Sequence, residues 1–230
     1  MADQGLEQYA RTVPLYTLAD AARIIGMSHN TLQKWTRGYD YPTTFQGTKS
    51  SRPLVTSTPP QDGLCIPFDG LAEAFVLTRL RAAGVKMPKI RPAVEKLGDE
   101  FGITHALLSE RLKTDGATVL FEYTVDDYPG NEPATSLAEV TSKQMAFEEG
   151  LEDSLQTISY SDHVLHSFML PRYDLPVVVD PSLNAGRPTL AEYWVRLEDL
   201  QDRVDAGEDV DDVADDYGIP ESAARALVDA

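Results

Sequence analysis

Residues 16–38 read YTLADAARIIGMSHNTLQKWTRG, and their spacing predicts two short helices joined at a glycine. Thr17 precedes Leu18, Ala21, Ala22 and Ile25, apolar positions three and four apart that form one stripe, and Asp20 follows where its carboxylate can complete a capping box. Gly26 can take the left-handed backbone that ends the first helix. Ser28 can accept a backbone N–H and open the second helix, whose inward pair is Leu32 and Trp35. The residues left outside are His29, Asn30, Thr31, Gln33, Lys34 and Arg37; with Ser28 they offer amides for base edges and cations for phosphates. The same spacing also fits an ordinary helical hairpin with a solvated polar face.

Charge decides where such a surface could work. The chain has 230 residues, 42% of them hydrophobic, and a net charge of -17. Residues 1–113 hold 14 Lys and Arg against 11 Asp and Glu; residues 114–230 hold 6 against 26. Only the first half is therefore plausible against a phosphate backbone, and the acidic half requires a different partner. The single Cys65 excludes an internal disulfide framework and a cysteine-rich zinc site. The start MADQGLEQ lacks a basic segment followed by an apolar run, and no stretch reaches the roughly 18 apolar residues of a membrane helix, so a cytoplasmic location is expected.

Outward from the opening stretch, residues 39–67 are polar and turn-rich, with Lys49 and Arg52 where a wing would reach a DNA backbone. Two helices should follow. Asp69 is expected to cap the first and Gly84 to end it; Ile90, Val94, Leu97 and Phe101 form the apolar face of the second. Pro92 is tolerable only in a first helical turn, which places that helix start near Pro88. Val119, Phe121, Tyr123 and Val125 alternate as in a strand, and YTVDDYPGNEPATS has the composition of a linker. Beyond it, Phe147, Leu151 and Leu155 mark a helix, and Val164–Leu170 and Val177–Val179 two strands.

The last fifty residues predict a second helix-turn-helix. Leu197, Leu200 and Val204 make a stripe ended by Gly207, Asp209 and Asp212 are cap and first-turn acid, Gly218 makes the turn and Pro220 opens a last helix. With 4 basic against 14 acidic side chains over residues 180–230, this copy is unsuited to a DNA groove.

The run from Tyr16 to Gly38 resembles the N-terminal helix-turn-helix of MerR-type regulators in its paired alanines, its apolar-Gly-apolar-Ser turn and its T-L-x-x-W-x-x-G ending; LRAAGVKMPKIRPAV is similar to the segment leading into that family's next helix. The tail resembles a small bacterial domain of the former unknown-function class found in antitoxins, through Asp180–Pro188, Ala206–Glu208 and Ala214–Gly218, and departs from its commoner form at TLAEYW, residues 189–194. A MerR-like head with this tail resembles one subclass of VapB antitoxins. The resemblance, together with the linker composition and the strand pattern of the middle region, implies a mainly α fold with a small β component (α+β): a MerR-like winged helix-turn-helix domain over 1–125, a linker and middle region with a helix and a small central sheet over 126–176, and a helical antitoxin domain over 177–230. It also implies a PIN-domain (VapC-type) ribonuclease as partner, double-stranded operator DNA, autoregulation, and a homodimer or higher symmetric complex with toxin.

Arg172 and Arg187 lie in loop-like segments from which a long side chain could reach a toxin cleft, and Tyr173 and Arg196 complete the candidate toxin-binding set. Arg187 could instead pair with nearby acids such as Asp180 and fix its own loop. Residues 140–230 alone are expected to hold the toxin and residues 1–113 alone the DNA. No catalytic residue, cofactor or metal is expected: Asp162, His163 and His166 lack a zincin spacing, the acids from Asp209 to Asp216 lack an EF-hand spacing, and phosphate-loop and nucleophile-elbow motifs are absent. A stand-alone one-component regulator with a ligand- or protein-binding second half, and an interaction protein without nucleic acid, are the alternatives.

Overall fold

The computed structural model describes residues 11–43, 47–101, 105–112, 117, 120, 147 and 149–228. The two opening helices are α1 (Leu18–Ile24) and α2 (His29–Arg37). Thr17 caps α1 by accepting the Asp20 N–H at 3.0 Å, while its own hydroxyl donates to the Asp20 carboxylate at 2.7 Å, so the short acid closes the box through the side chain. Gly26 turns the chain at φ 67 and Ser28 caps α2 on the Thr31 N–H.

Gly38 ends α2, and no other residue fits there. Its φ is 71, and a Cβ would lie 2.0 Å from the Ser51 carbonyl oxygen. The close approach seats an antiparallel hairpin of β1 (Tyr39–Thr43) and β2 (Gly47–Ser51) against the end of α2, with Tyr39 opposite Ser51 and Tyr41 opposite Lys49. This is the expected wing.

Helix α3 (Phe68–Ala82) is capped by Pro67, which corrects Asp69 from cap to first-turn residue; Gly84 follows its end at φ 87. Asp69 is held by Arg11 at 2.8 Å instead. Helix α4 spans Met87–Phe101 and starts where expected, but Pro92 lies in its interior rather than its first turn. The missing N–H leaves the Pro88 carbonyl without that helical partner. Ile90, Ala93 and Leu97 are buried and Val94 half-buried, while the Phe101 side chain lies outside the described residues.

The strand expected over Val119–Val125 is not seen at Leu120, the one described residue within it, which is helical and buried like Ala117. The remainder of that segment and the acidic linker lie outside the described residues. Phe147, Leu151 and Leu155 are helical and buried. An antiparallel sheet then runs in sequence order through β3 (Ile158–Ser161), β4 (Val164–Met169), β5 (Val177–Val179), β6 (Thr189–Leu190) and β7 (Val195–Arg196). Pairing of Phe168 with Val179 carries this sheet through residue 177, where the antitoxin domain is expected to begin.

The tail closes with α5 (Leu197–Asp205), α6 (Val210–Tyr217) and α7 (Glu221–Val228). Asp209 caps α6 by accepting the Asp211 N–H, and Gly218 ends it at φ 65. The result is α+β, as expected.

One apolar core joins the helix-turn-helix to the sheet. Phe168 of β4 stacks on Phe75 of α3 with ring centroids 4.2 Å apart and lies 6.2 Å from Phe68. Arg11 donates to the Leu165 carbonyl and Arg79 to that of Ser154, both at 2.8 Å. Buried Tyr16, beside α1, donates its hydroxyl to the Gly186 carbonyl at 2.5 Å. Burial raises the Tyr16 phenol well above its ordinary value, with Arg187 opposing, so the hydroxyl remains a donor.

Candidate nucleic-acid interface

The inward residues of α2 are Leu32, Trp35 and Thr36, with the Thr36 hydroxyl turned back to the Gln33 carbonyl at 3.0 Å. Ser28, His29, Asn30, Lys34 and Arg37 are exposed, and Thr31 and Gln33 half-buried. One helix face therefore presents an imidazole, two amides, hydroxyls and two cations, the inventory that reads base edges and phosphates. The Lys34 ammonium lies 6.0 Å from the Tyr39 ring centroid, which ties this face to the wing.

Lys49 occupies β2 and Arg52 follows it, exposed. The Arg91 guanidinium donates to the Arg52 carbonyl, fixing the wing base to α4. Arg52 and Arg91 share a cleft of about 690 Å³ with Tyr39, Pro88 and Glu95. Arg91 was not among the sequence candidates; its signal is the cation-rich run of Lys86, just before α4, with Lys89 and Arg91 on it, positions that the apolar stripe leaves outside.

Between the loop before α3 and helix α4, a second cavity of about 470 Å³ is bordered by Arg52, Thr56, Glu73, Val94 and His105. Glu73 is only 4% exposed. One of its oxygens accepts the Thr56 N–H at 2.5 Å, and the other meets His105 Nδ1 at 2.9 Å. That hydrogen bond raises the His105 pKa above 6.5 against the effect of burial, and the charges of Glu73 and Asp69 add to it. Burial raises the Asp69 carboxyl, with Arg11 offsetting part of the shift. This cluster pins the loop before α3, at Thr56, and His105 to the Glu73 carboxylate of α3.

The toxin-binding candidates are placed differently from one another. Arg172, Tyr173 and Arg187 converge on a cleft between α1 and the tail, whereas Arg196 is exposed elsewhere and forks onto Asp199 at 2.8 and 2.6 Å. Arg187 does pair with an acid of its own chain, but the acid is Glu198 at 3.7 Å rather than Asp180, and the guanidinium lies over the Tyr16 ring. Asp180 instead meets His166 at 3.3 Å and caps Ser182. His163 contacts Glu110. Among the described residues no three His, Cys, Asp or Glu gather as metal ligands, and no helix is long and apolar enough to cross a membrane.

The capped helix pair, its polar second helix and its hairpin wing define a helix-turn-helix protein of the DNA-binding class, and residues 14–94 match the family described as "Putative DNA-binding HTH domain". The chain belongs to the family of the Mycobacterium tuberculosis (strain ATCC 25618 / H37Rv) protein named "Putative antitoxin VapB45", to which it is 38% identical over 99% of this chain and 98% of that one. "Uncharacterized protein Rv2308" of the same strain is 26% identical across 89% of this chain and 84% of its own. The crystal structure of Rv2018 from M. tuberculosis resembles the fold with a TM-score of 0.69 at 32% identity, covering 94% of this chain and 98% of that one.

Proposed function

We propose that the protein is the antitoxin of a type II, VapBC-like toxin-antitoxin system, which represses its own operon through α2 and the wing and neutralises a PIN-domain ribonuclease. The observation that carries the DNA reading is the polar face of α2, stripped of apolar residues and set beside a hairpin that carries Lys49 and is followed by Arg52. The name of the whole-length relative supports the antitoxin reading. The resemblance to MerR-type heads supports a symmetric dimer on an inverted repeat, since one such helix reads only a few base pairs.

The partner surface is the tail. Asp202, Asp205, Asp212, Asp215 and Glu221 are exposed on α5, α6 and α7, and Arg225 and Arg203 are tied to acids of the same helices. Such a face complements the basic rim across which a ribonuclease leads RNA. Arg196 lies at the start of this face. Arg172, Tyr173 and Arg187 already have partners within the chain, so toxin contacts through them would exchange one set of bonds for another.

The test is Asn30→Ala, Gln33→Ala and Lys34→Ala combined. Specific operator affinity should fall by several kcal/mol, given roughly 1–3 kcal/mol for each good base-edge pair, with circular dichroism unchanged. Wild-type binding in a gel-shift assay refutes it. Light scattering at micromolar concentration should give a dimer or a larger symmetric complex with toxin; a monomer under all conditions contradicts the assembly.

A further inference from the structure

The second half of the chain is strongly acidic, yet two of its few cations face one small cleft together with a cation of the helix-turn-helix. The cleft measures about 220 Å³ and lies between the end of α1 and the tail, with Arg23, Arg172 and Arg187 on its walls and Glu198 as the one carboxylate among its lining residues. Arg23 and Arg187 share Glu198 at 4.0 and 3.7 Å, longer than direct hydrogen bonds, and Arg23 also approaches Asp20 at 3.3 Å. Arg172 has no carboxylate partner among the described residues. It donates to the Arg23 carbonyl at 2.8 Å and to the Tyr173 hydroxyl at 2.5 Å.

Three guanidinium groups around so small a space repel one another, and Glu198 together with Asp20, which accepts from Arg23, leaves one of the three charges uncompensated. Each is nevertheless fixed: Arg23 by its hydrogen bond to the Asp20 carboxylate, Arg172 by the α1 carbonyl and the Tyr173 ring, whose centroid is 4.6 Å away, and Arg187 by the Tyr16 ring at 5.6 Å. Guanidinium forks held in place with N–H groups to spare match the oxygens of a tetrahedral oxyanion. Ile24, Pro188 and Leu197 supply an apolar wall beside them.

We propose that this cleft is a phosphate-binding site, taking inorganic phosphate or the phosphoryl group of a small organic monoester, and that its occupant fastens α1 to the tail. The site shares Arg172, Tyr173 and Arg187 with the candidate toxin contacts but lies apart from the α2 face, and phosphate binding by the protein alone is read without toxin or operator, so its outcome is distinct from that of the antitoxin reading.

Calorimetric titration of the full-length protein at constant ionic strength, with inorganic phosphate and with phenyl phosphate, tests it. Saturable binding should appear and should raise the unfolding temperature. Arg172→Ala and Arg187→Ala should each weaken it by at least about tenfold, as expected for loss of a charge-assisted hydrogen bond. Glu198→Gln, which removes the competing carboxylate, should tighten it several-fold and keeps the test valid if an arginine variant fails to fold. Tighter binding of phenyl phosphate than of phosphate assigns an organic monoester, and equal binding assigns the free ion. No saturable binding in the wild type and in Glu198→Gln, or affinity unchanged in the folded arginine variants, overturns the proposal.

Discussion

Gly38 carries two constraints at one atom. Its positive φ disfavours any side chain, and the Ser51 carbonyl occupies the place of a Cβ. Gly38→Ala should therefore cost about 3 kcal/mol in denaturant unfolding and displace the wing, because the obstacle is backbone that cannot rotate away. An unchanged midpoint contradicts this packing. His105 gives a pH signature. Its folded pKa is raised above 6.5 by Glu73, so its stabilising contribution is complete below 6.5 and is lost as pH rises through the folded value. Asp69 also has a raised value, and its effect falls in the acid range above 3.8. From about pH 6 to pH 9 the wild type should thus lose more thermal stability than His105→Gln. Parallel curves mean that the Glu73–His105 bond contributes nothing.

At the scale of elements, α4 keeps a proline where a helix loses a hydrogen bond. Pro92→Ala should restore the bond to the Pro88 carbonyl and raise stability by about 1–3 kcal/mol by chemical denaturation, unless the half-buried ring is itself well packed; a loss of stability identifies that packing as dominant. The helices α1, α2, α5 and α6 were legible because each carries its own punctuation: Thr17, Gly26, Ser28, Gly207, Asp209 and Gly218 sit at the ends the structure shows. Strands β6 and β7 were not, since two residues show no alternation, and β3 lies behind a bulge between Ser159 and Tyr160. The outward face of α2 could be read from spacing alone. The cleft of Arg23, Arg172 and Arg187 could not, because those side chains meet only when the sheet brings the tail against α1, and no local period records a contact across 149 positions.

Across the whole molecule, the charge divide and the packing divide do not coincide. The basic and acidic halves suggest two separable units, but Phe168 of the acidic half stacks on Phe75 of the helix-turn-helix half, and Tyr16 is satisfied by Gly186. Cutting between them would expose a stacked aromatic on each side and orphan a buried hydroxyl, so fragments 1–113 and 140–230 should each fail to fold cooperatively, against the expectation from charge alone. Two natural probes report on the halves: Trp35, buried on the inward face of α2, and Trp194, 72% exposed between β6 and β7. Single variants Trp35→Phe and Trp194→Phe leave one probe each. Their urea curves should share one midpoint, and Phe168→Ala should move both together by about 3–5 kcal/mol, the usual cost of emptying an aromatic core site. Two midpoints, or a shift confined to the tail probe, would show that the halves fold independently and that the aromatic stack is a docking contact between finished units.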